Sequence, residues 1–263
     1  MTVLQAPSIT KPPPGSTGAV LISGSHGGVY PGFLAARARV RGVIFNDAGV
    51  GKDQAGIGSL VYLQNLDIPA ATVDHRTARI GDCGDMLAHG RISRFNAPAA
   101  RLGVDEGMTC AAAARRLERA PLFRVDPPVY PEARVVLRKT PRRLVLIDSA
   151  SLVEADDRGG IVVTGSHGGI FGNDPAVALR VEALAALFND AGIGKDGAGI
   201  TRLPALDQRG IAAATVAAMS ARIGEARSTL EDGVLSRVNE RAAALGAQPG
   251  MAARAFVMSL LGS

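Results

Sequence analysis

Two short polar segments of this 263-residue chain carry residue types suited to nucleophilic or acid–base chemistry. Ser25 and His26 stand in Gly24-Ser25-His26-Gly27-Gly28, and Asn46, Asp47 and Lys52 stand in the run 46–57, NDAGVGKDQAGI. Asp74, His75 and Arg79 follow an apolar stretch further along. A serine hydroxyl beside a lysine amine makes a nucleophile and base, with the N–H groups of Gly27 and Gly28 receiving an oxyanion. Lys52 is the better base for Ser25, because adjacent strand residues point to opposite faces and His26 turns away. In a second arrangement, histidine and lysine move protons on a carboxylate without covalent chemistry. Arg79 offers that carboxylate a two-point clamp.

Phosphate and metal motifs do not account for these residues. A P-loop needs Ser or Thr after its lysine, but Asp53 follows Lys52, so magnesium would lose a ligand. GSHGG is not a dinucleotide fingerprint either, since Tyr30 stands where a third glycine would fall. His26, Asp47, Asp74 and His75 are metal-ligand types, yet no HExxH or CxxC spacing joins them. No cofactor and no metal is expected.

The same chemistry is written twice. Gly24–Gly28 returns at an offset of 141 as Gly165-Ser166-His167-Gly168-Gly169. Residues 46–57 return at an offset of 143 as NDAGIGKDGAGI, identical at ten of twelve positions, bringing Asn189, Asp190 and Lys195. At that offset Ala78-Arg79-Ile80-Gly81 matches Ala221-Arg222-Ile223-Gly224, and Asn96 matches Asn239. A period near 140 in two copies reads as a duplicated domain rather than a solenoid. The expected division is 1–120, a connector at 121–142, and 143–263. Asp74, His75, Cys83 and His89 occur in the first copy alone; Ala226 stands opposite Cys83.

The elements that must hold these loops follow from the pattern around them. Apolar runs at 19–23, 43–46 and 68–73, and their counterparts, read as buried strands of a parallel sheet. Helices are expected after each GSHGG, over 54–66, and near 85–90, 93–102 and 109–119, and again in the second copy. A short strand at 2–5 and a hairpin over 133–148 turning at Thr140-Pro141 complete the plan. The fold class is α/β, with two similar, mainly parallel halves related by a pseudo-twofold axis. Ligands in such sheets bind beyond the carboxyl ends of the strands, where the repeated polar residues sit.

Composition excludes other classes. The chain carries a formal charge of +5, but residues 115–143 alone hold nine basic residues, Arg124 among them, against three acids. The remainder is near neutral, so the basic character belongs to the connector. With only Phe123 and Tyr130 as aromatics there, nucleic-acid binding is not expected. Two cysteines make no disulfide framework, and no signal peptide or membrane span is evident. A cytoplasmic homo-oligomer without membrane partners is expected.

In plan alone the arrangement resembles the cofactor-independent aspartate/glutamate racemase and arylmalonate decarboxylase group, in which two α/β halves enclose a small carboxylate. That group relies on cysteines in its halves, so Ala226 carries no residue role across. The residues themselves predict a cofactor-independent enzyme acting on a small carboxylate or cyclic amide in the cleft between the repeats. The reaction would be hydrolysis, or lyase or isomerase chemistry by proton transfer. Ser25 and Lys52 are expected as nucleophile and base, with His26, His75, His167 and Lys195 as further catalytic groups. Gly27, Gly28, Asn46, Asp47, Arg79, Ser166, Asn189, Asp190 and Arg222 are expected to bind substrate. The alternative is a non-catalytic anion-binding or scaffolding protein. In that case Ser25 and Asn46 cap turns, the histidines are buried hydrogen-bonding groups, and Arg79 serves an internal ion pair.

Overall fold

Val20-Leu21-Ile22 and Val43-Ile44-Phe45 are apolar at every position because both faces of their sheet are covered. The computed structural model describes residues 3–122, 126–171 and 175–262, so Phe123 and Arg124 lie outside the described residues. The chain forms two compact units. Unit 1 comprises Met1–Val50, Gln54–Pro131 and the tripeptide Gly194–Asp196; unit 2 comprises Gly51–Asp53, Glu132–Ile193 and Gly197–Ser263.

In unit 1, strands β1 (Val3–Ala6), β2 (Val20–His26), β3 (Gly42–Asn46) and β4 (Ala70–Val73) lie parallel and in sequence order. Strand β5 (Ile92–Phe95) adds antiparallel to β4. Helices α1 (Val29–Arg37) and α2 (Ser59–Gln64) cover one face, burying Phe33, Leu34, Leu60 and Leu63 against Leu21, Val43 and Phe45. Helices α3 (Cys83–His89), α4 (Ala97–Arg101) and α5 (Cys110–Leu117) cover the other, with Met86, Ala113 and Leu117 against Ile22, Ile44 and Val73. Neighbouring strand residues thus serve opposite cores, as a period of two requires.

Unit 2 has an edge hairpin, β6 (Arg134–Arg138) with β7 (Leu144–Ile147), turning through a cis Thr140–Pro141 peptide. Strands β8 (Ile161–His167), β9 (Ala185–Asn189) and β10 (Ala212–Val216) continue parallel from β7. Strand β11 (Leu235–Val238) closes the order β11-β10-β9-β8-β7-β6, antiparallel to β10. Helices α6 (Arg202–Gln208), α7 (Ala226–Glu231), α8 (Glu240–Ala244) and α9 (Ala253–Gly262) supply its layers. Among the described residues the sheets have five and six strands, and no helix is long and apolar enough to cross a membrane.

Three local expectations are corrected. Residues 93–95 belong to strand β5, and the helix starts only at Ala97, after Asn96 caps it by accepting from Ala99 N–H. The run expected as one helix over 54–66 is a 3-10 turn, Lys52–Ile57, followed by the shorter α2. Where α1 follows the first GSHGG, the described residues after the second hold only a 3-10 turn, Pro175–Ala178. Arg202 is buried against that turn. Its guanidinium donates to the carbonyls of Gly169 and Ala178 and stacks over Phe188 and Phe171, at 5.1 and 5.7 Å. Burial without an acid draws its pKa down to about 10. Ser59 stands at the matching position of unit 1, beneath α1.

Candidate functional site

The GSHGG segments end β2 and β8, and each folds back onto its own unit. A register shift between Ile22 and His26 breaks the pairing of β2 with β3. At that break Gly24 lets two backbones meet: a Cβ there would lie 2.7 Å from the Pro7 carbonyl oxygen. Gly165 is matched in unit 2, where a Cβ would lie 2.5 Å from Glu225 N. Ser25 Oγ accepts the Ile9 N–H at 3.1 Å, and Ser166 Oγ accepts that of Ala150 at 2.9 Å. His26 Nδ1 accepts from Gly28 N–H and His167 Nδ1 from Gly169 N–H, both at 3.1 Å. That bond leaves the proton on Nε2, and burial lowers the pKa of His26 to about 4. The N–H of Gly27 is likewise taken, by the Asn46 carbonyl at 2.9 Å. Ser25, Gly27, Gly28 and His26 brace loops, as do Ser166 and His167.

The NDAG loops leave β3 and β9 in an unusual backbone. Ala48, Val50, Asp53 and Gln54 have positive φ in the first, as do Ala191, Ile193 and Asp196 in the second. Left-handed Val and Ile are sterically costly, at about 1–3 kcal/mol each, so neighbouring contacts must hold them. Asn46 does so by donating to Ala78 O and accepting from Ala48 N–H; Asn189 repeats both bonds with Ala221 and Ala191. Asp190 Oδ1 accepts from Gly192 N–H and Ala218 N–H, both at 2.9 Å.

The lysine of each loop finds a carboxylate. In unit 1, Lys195 Nζ lies 2.6 Å from Asp85 Oδ1, and Asp196 accepts from Arg79 Nε at 2.9 Å. In unit 2, Lys52 Nζ lies 2.9 Å from Asp232 Oδ2, and Asp53 accepts from Arg222 Nη1 at 3.0 Å. Asp85 receives the Arg79 N–H directly, whereas Ser228 Oγ receives that of Arg222 and donates to Asp232. A serine–aspartate relay thus replaces one aspartate. Burial pushes the Asp85 carboxyl up, but the Lys195 hydrogen bond and the Arg79 N–H and charge hold it below its usual value. Arg79 and Arg222, expected to clamp a substrate carboxylate, hold carboxylates of the chain itself. Ser25 belongs to unit 1 and Lys52 to unit 2, each with the partners given above.

His75 stands apart from these loop-bracing groups. Its Nδ1 lies 2.9 Å from Asp47 Oδ1, an oxygen that also accepts from Gly49 N–H and His75 N–H at 3.1 and 3.0 Å. Asp47 is 4% exposed, so the carboxylate is fixed and desolvated; the His75 ring is 20% exposed. Its Nε2 makes no hydrogen bond among the described residues. Asp74 Oδ1 lies 3.4 Å from the same Nδ1, and Asp74 is held below the carboxylate range by Arg76. Ala218, at the matching place in unit 2, keeps the backbone bond to Asp190 with no ring at all. The loop therefore needs no imidazole, and His75 adds a titratable group to a structure complete without it.

Asp47, Asp74 and His75 bring ligand atoms within 4.8 Å of one another, the one such group among the described residues. Asp47 Oδ1 takes three N–H contacts and both Asp74 oxygens accept from Arg76, while His75 Nε2 stays open among the described residues. The thiols are poor nucleophiles, since burial raises Cys83 to about 11 and Cys110 to about 12. Residue types and spacing missed Asp85 and Asp232, the lysines' partners. The 143-residue offset pairs Asp85 with Ser228 and His89 with Asp232, so no repeated acid marks the place. Comparison with known protein families, with curated proteins and with solved structures returns no match.

Proposed function

We propose that the chain is a cofactor-independent enzyme acting on a small carboxylate or cyclic amide, with His75 as its acid–base group and Asp47 as the residue that orients it. The observation that carries this reading is the 2.9 Å Asp47–His75 contact on a buried carboxylate, with Nε2 left over. Its place after β3 and β4 fits ligand binding at the carboxyl ends of parallel strands. Asp47 holds the Nδ1 proton and stabilises the imidazolium that forms when Nε2 takes a proton. Abstraction from carbon next to a carboxylate and return to the same carbon is isomerase chemistry. Return to a product after bond cleavage is lyase chemistry, and abstraction from water is hydrolysis of an amide. We favour proton transfer at carbon over attack by Ser25, because the bases expected for that serine are engaged: His26 Nδ1 takes the Gly28 N–H and Lys52 pairs with Asp232.

The same proposal takes the two units as one design used twice, supported by the shared order of four parallel strands and the matched loop bonds. It also takes the protein as a cytoplasmic homo-oligomer. Exposed Val135 and Leu137 on edge strand β6 offer apolar surface for self-association, which light scattering reads directly.

The test is a panel of 2-substituted carboxylates and cyclic amides incubated with the protein in deuterated water and followed by proton NMR. Loss of a carbon-bound proton signal is expected, and His75→Gln slows it by about 100-fold or more with an unchanged unfolding midpoint. Undiminished exchange in His75→Gln removes the assignment. The non-catalytic reading draws on Arg79, Arg222, Lys52 and Lys195 all being neutralised internally. Saturable binding of the same carboxylates, with no exchange or ring opening over days, favours it.

A further inference from the structure

Three of the nine basic residues in 115–143 converge in unit 2. Lys139, Arg142 and Arg143 line an open surface depression of about 330 Å³, and Arg158 joins them from the turn after residues 155–157. Asp156 is the single carboxylate in the lining. At the offset of 141, Arg158 stands opposite Thr17, so this cluster has no counterpart in unit 1.

Two of the four cations are positioned by the fold. Arg142 donates to the Leu260 carbonyl in the last turn of α9, an end that favours positive charge. Arg143 Nε donates at 2.9 Å to Asp157, a fully buried carboxylate shared with Arg134 at 3.0 Å. Lys139 and Arg158 make no ion pair among the described residues. With Arg143 paired to Asp157, the charges of Lys139, Arg142 and Arg158 face Asp156 alone within the lining, so they repel one another and attract an anion. Guanidinium forks match phosphate oxygens in pairs, and a lysine adds a point charge. The volume lies at the small end of ligand pockets, suiting a compact anion of several charges.

We infer that this depression binds a diphosphate group, either free pyrophosphate or the diphosphate of a nucleotide. The experiment is titration calorimetry of the full chain at fixed ionic strength with pyrophosphate, ADP, orthophosphate and a 20-nucleotide single strand. Pyrophosphate is expected to bind one to one, with orthophosphate weaker by about tenfold or more. The double variant Lys139→Gln/Arg158→Gln loses about tenfold or more in pyrophosphate affinity with an unchanged urea midpoint. Arg158→Lys keeps the charge and falls between the two. ADP binding tighter than pyrophosphate assigns the diphosphate to a nucleotide; ADP binding no tighter assigns it to the free anion. No saturation by millimolar pyrophosphate overturns the inference, as does equal affinity in the double variant. Strand binding that pyrophosphate does not displace, and that the double variant abolishes, also overturns it in favour of a polymer.

Discussion

His26 makes the fold sensitive to mild acid, with a size that follows from its surroundings. Burial lowers its pKa from 6.5 to about 4, while Nδ1 holds the Gly28 N–H. In the unfolded chain the ring takes a proton below pH 6.5; in the native state it stays neutral down to about 4. The unfolded state therefore binds more protons across that window, and stability falls as pH drops through it. Full separation of the two values is worth about 3 kcal/mol, and the share lost between pH 7 and 5 is about 2 kcal/mol. The assay is urea unfolding at both pH values for the wild type and for His26→Asn, whose amide oxygen can take the place of Nδ1. The variant does not titrate, so its loss between pH 7 and 5 should be smaller than the wild type's by about 2 kcal/mol. Equal losses in the two proteins, or a His26 NMR titration centred near 6.5, would refute the reasoning.

Other consequences are as direct. A Cβ at Gly56 or Gly199 would overlap the carbonyl oxygen of Asp47 or Asp190, so either alanine variant should lose about 3 kcal/mol or more, read by urea unfolding. Gly210→Ala has free space but positive φ, and should lose only about 1 kcal/mol in the same measurement. Asp85→Asn removes the carboxylate that Lys195 and Arg79 share; a loss of about 1–3 kcal/mol at pH 7 is expected, shrinking as acid protonates wild-type Asp85 through its lowered pKa. Arg202→Met should lose about 2–4 kcal/mol by leaving buried carbonyls unpaired, with little recovery in Arg202→Lys, which cannot reach them as a fork.

Much of the fold was legible because burial on both faces leaves an unbroken apolar run, as at Val20-Leu21-Ile22. Strand β5 was not, since Ile92-Ser93-Arg94-Phe95 has one buried face, too few residues to show alternation, and a helix cap immediately after it. The 3-10 turn Pro175–Ala178 was not legible either, since it is held by Arg202, a buried polar residue far along the chain. For the candidate site, the doubled glycines were plain, but their purpose was not. Glycine is required equally where a backbone approaches a ligand and where it approaches another backbone, and Gly24 and Gly165 do the second. The Asp47–His75 pair joins the ends of β3 and β4, a proximity that depends on strand order rather than on spacing along the chain.

Unit 1 counts Gly194–Asp196 among its own residues, and this bears on how the protein is made. A nascent chain that has left the ribosome through residue 131 already contains every strand and helix of unit 1. It still lacks the ammonium for Asp85 and the carboxylate that holds Arg79 Nε. Those arrive only with residues 195 and 196, after translation of β6 through β9. The ion pairs of the amino-terminal half are complete only once most of the carboxy-terminal half has been synthesised, and neither half can be cut out as a contiguous piece with all its ion pairs intact.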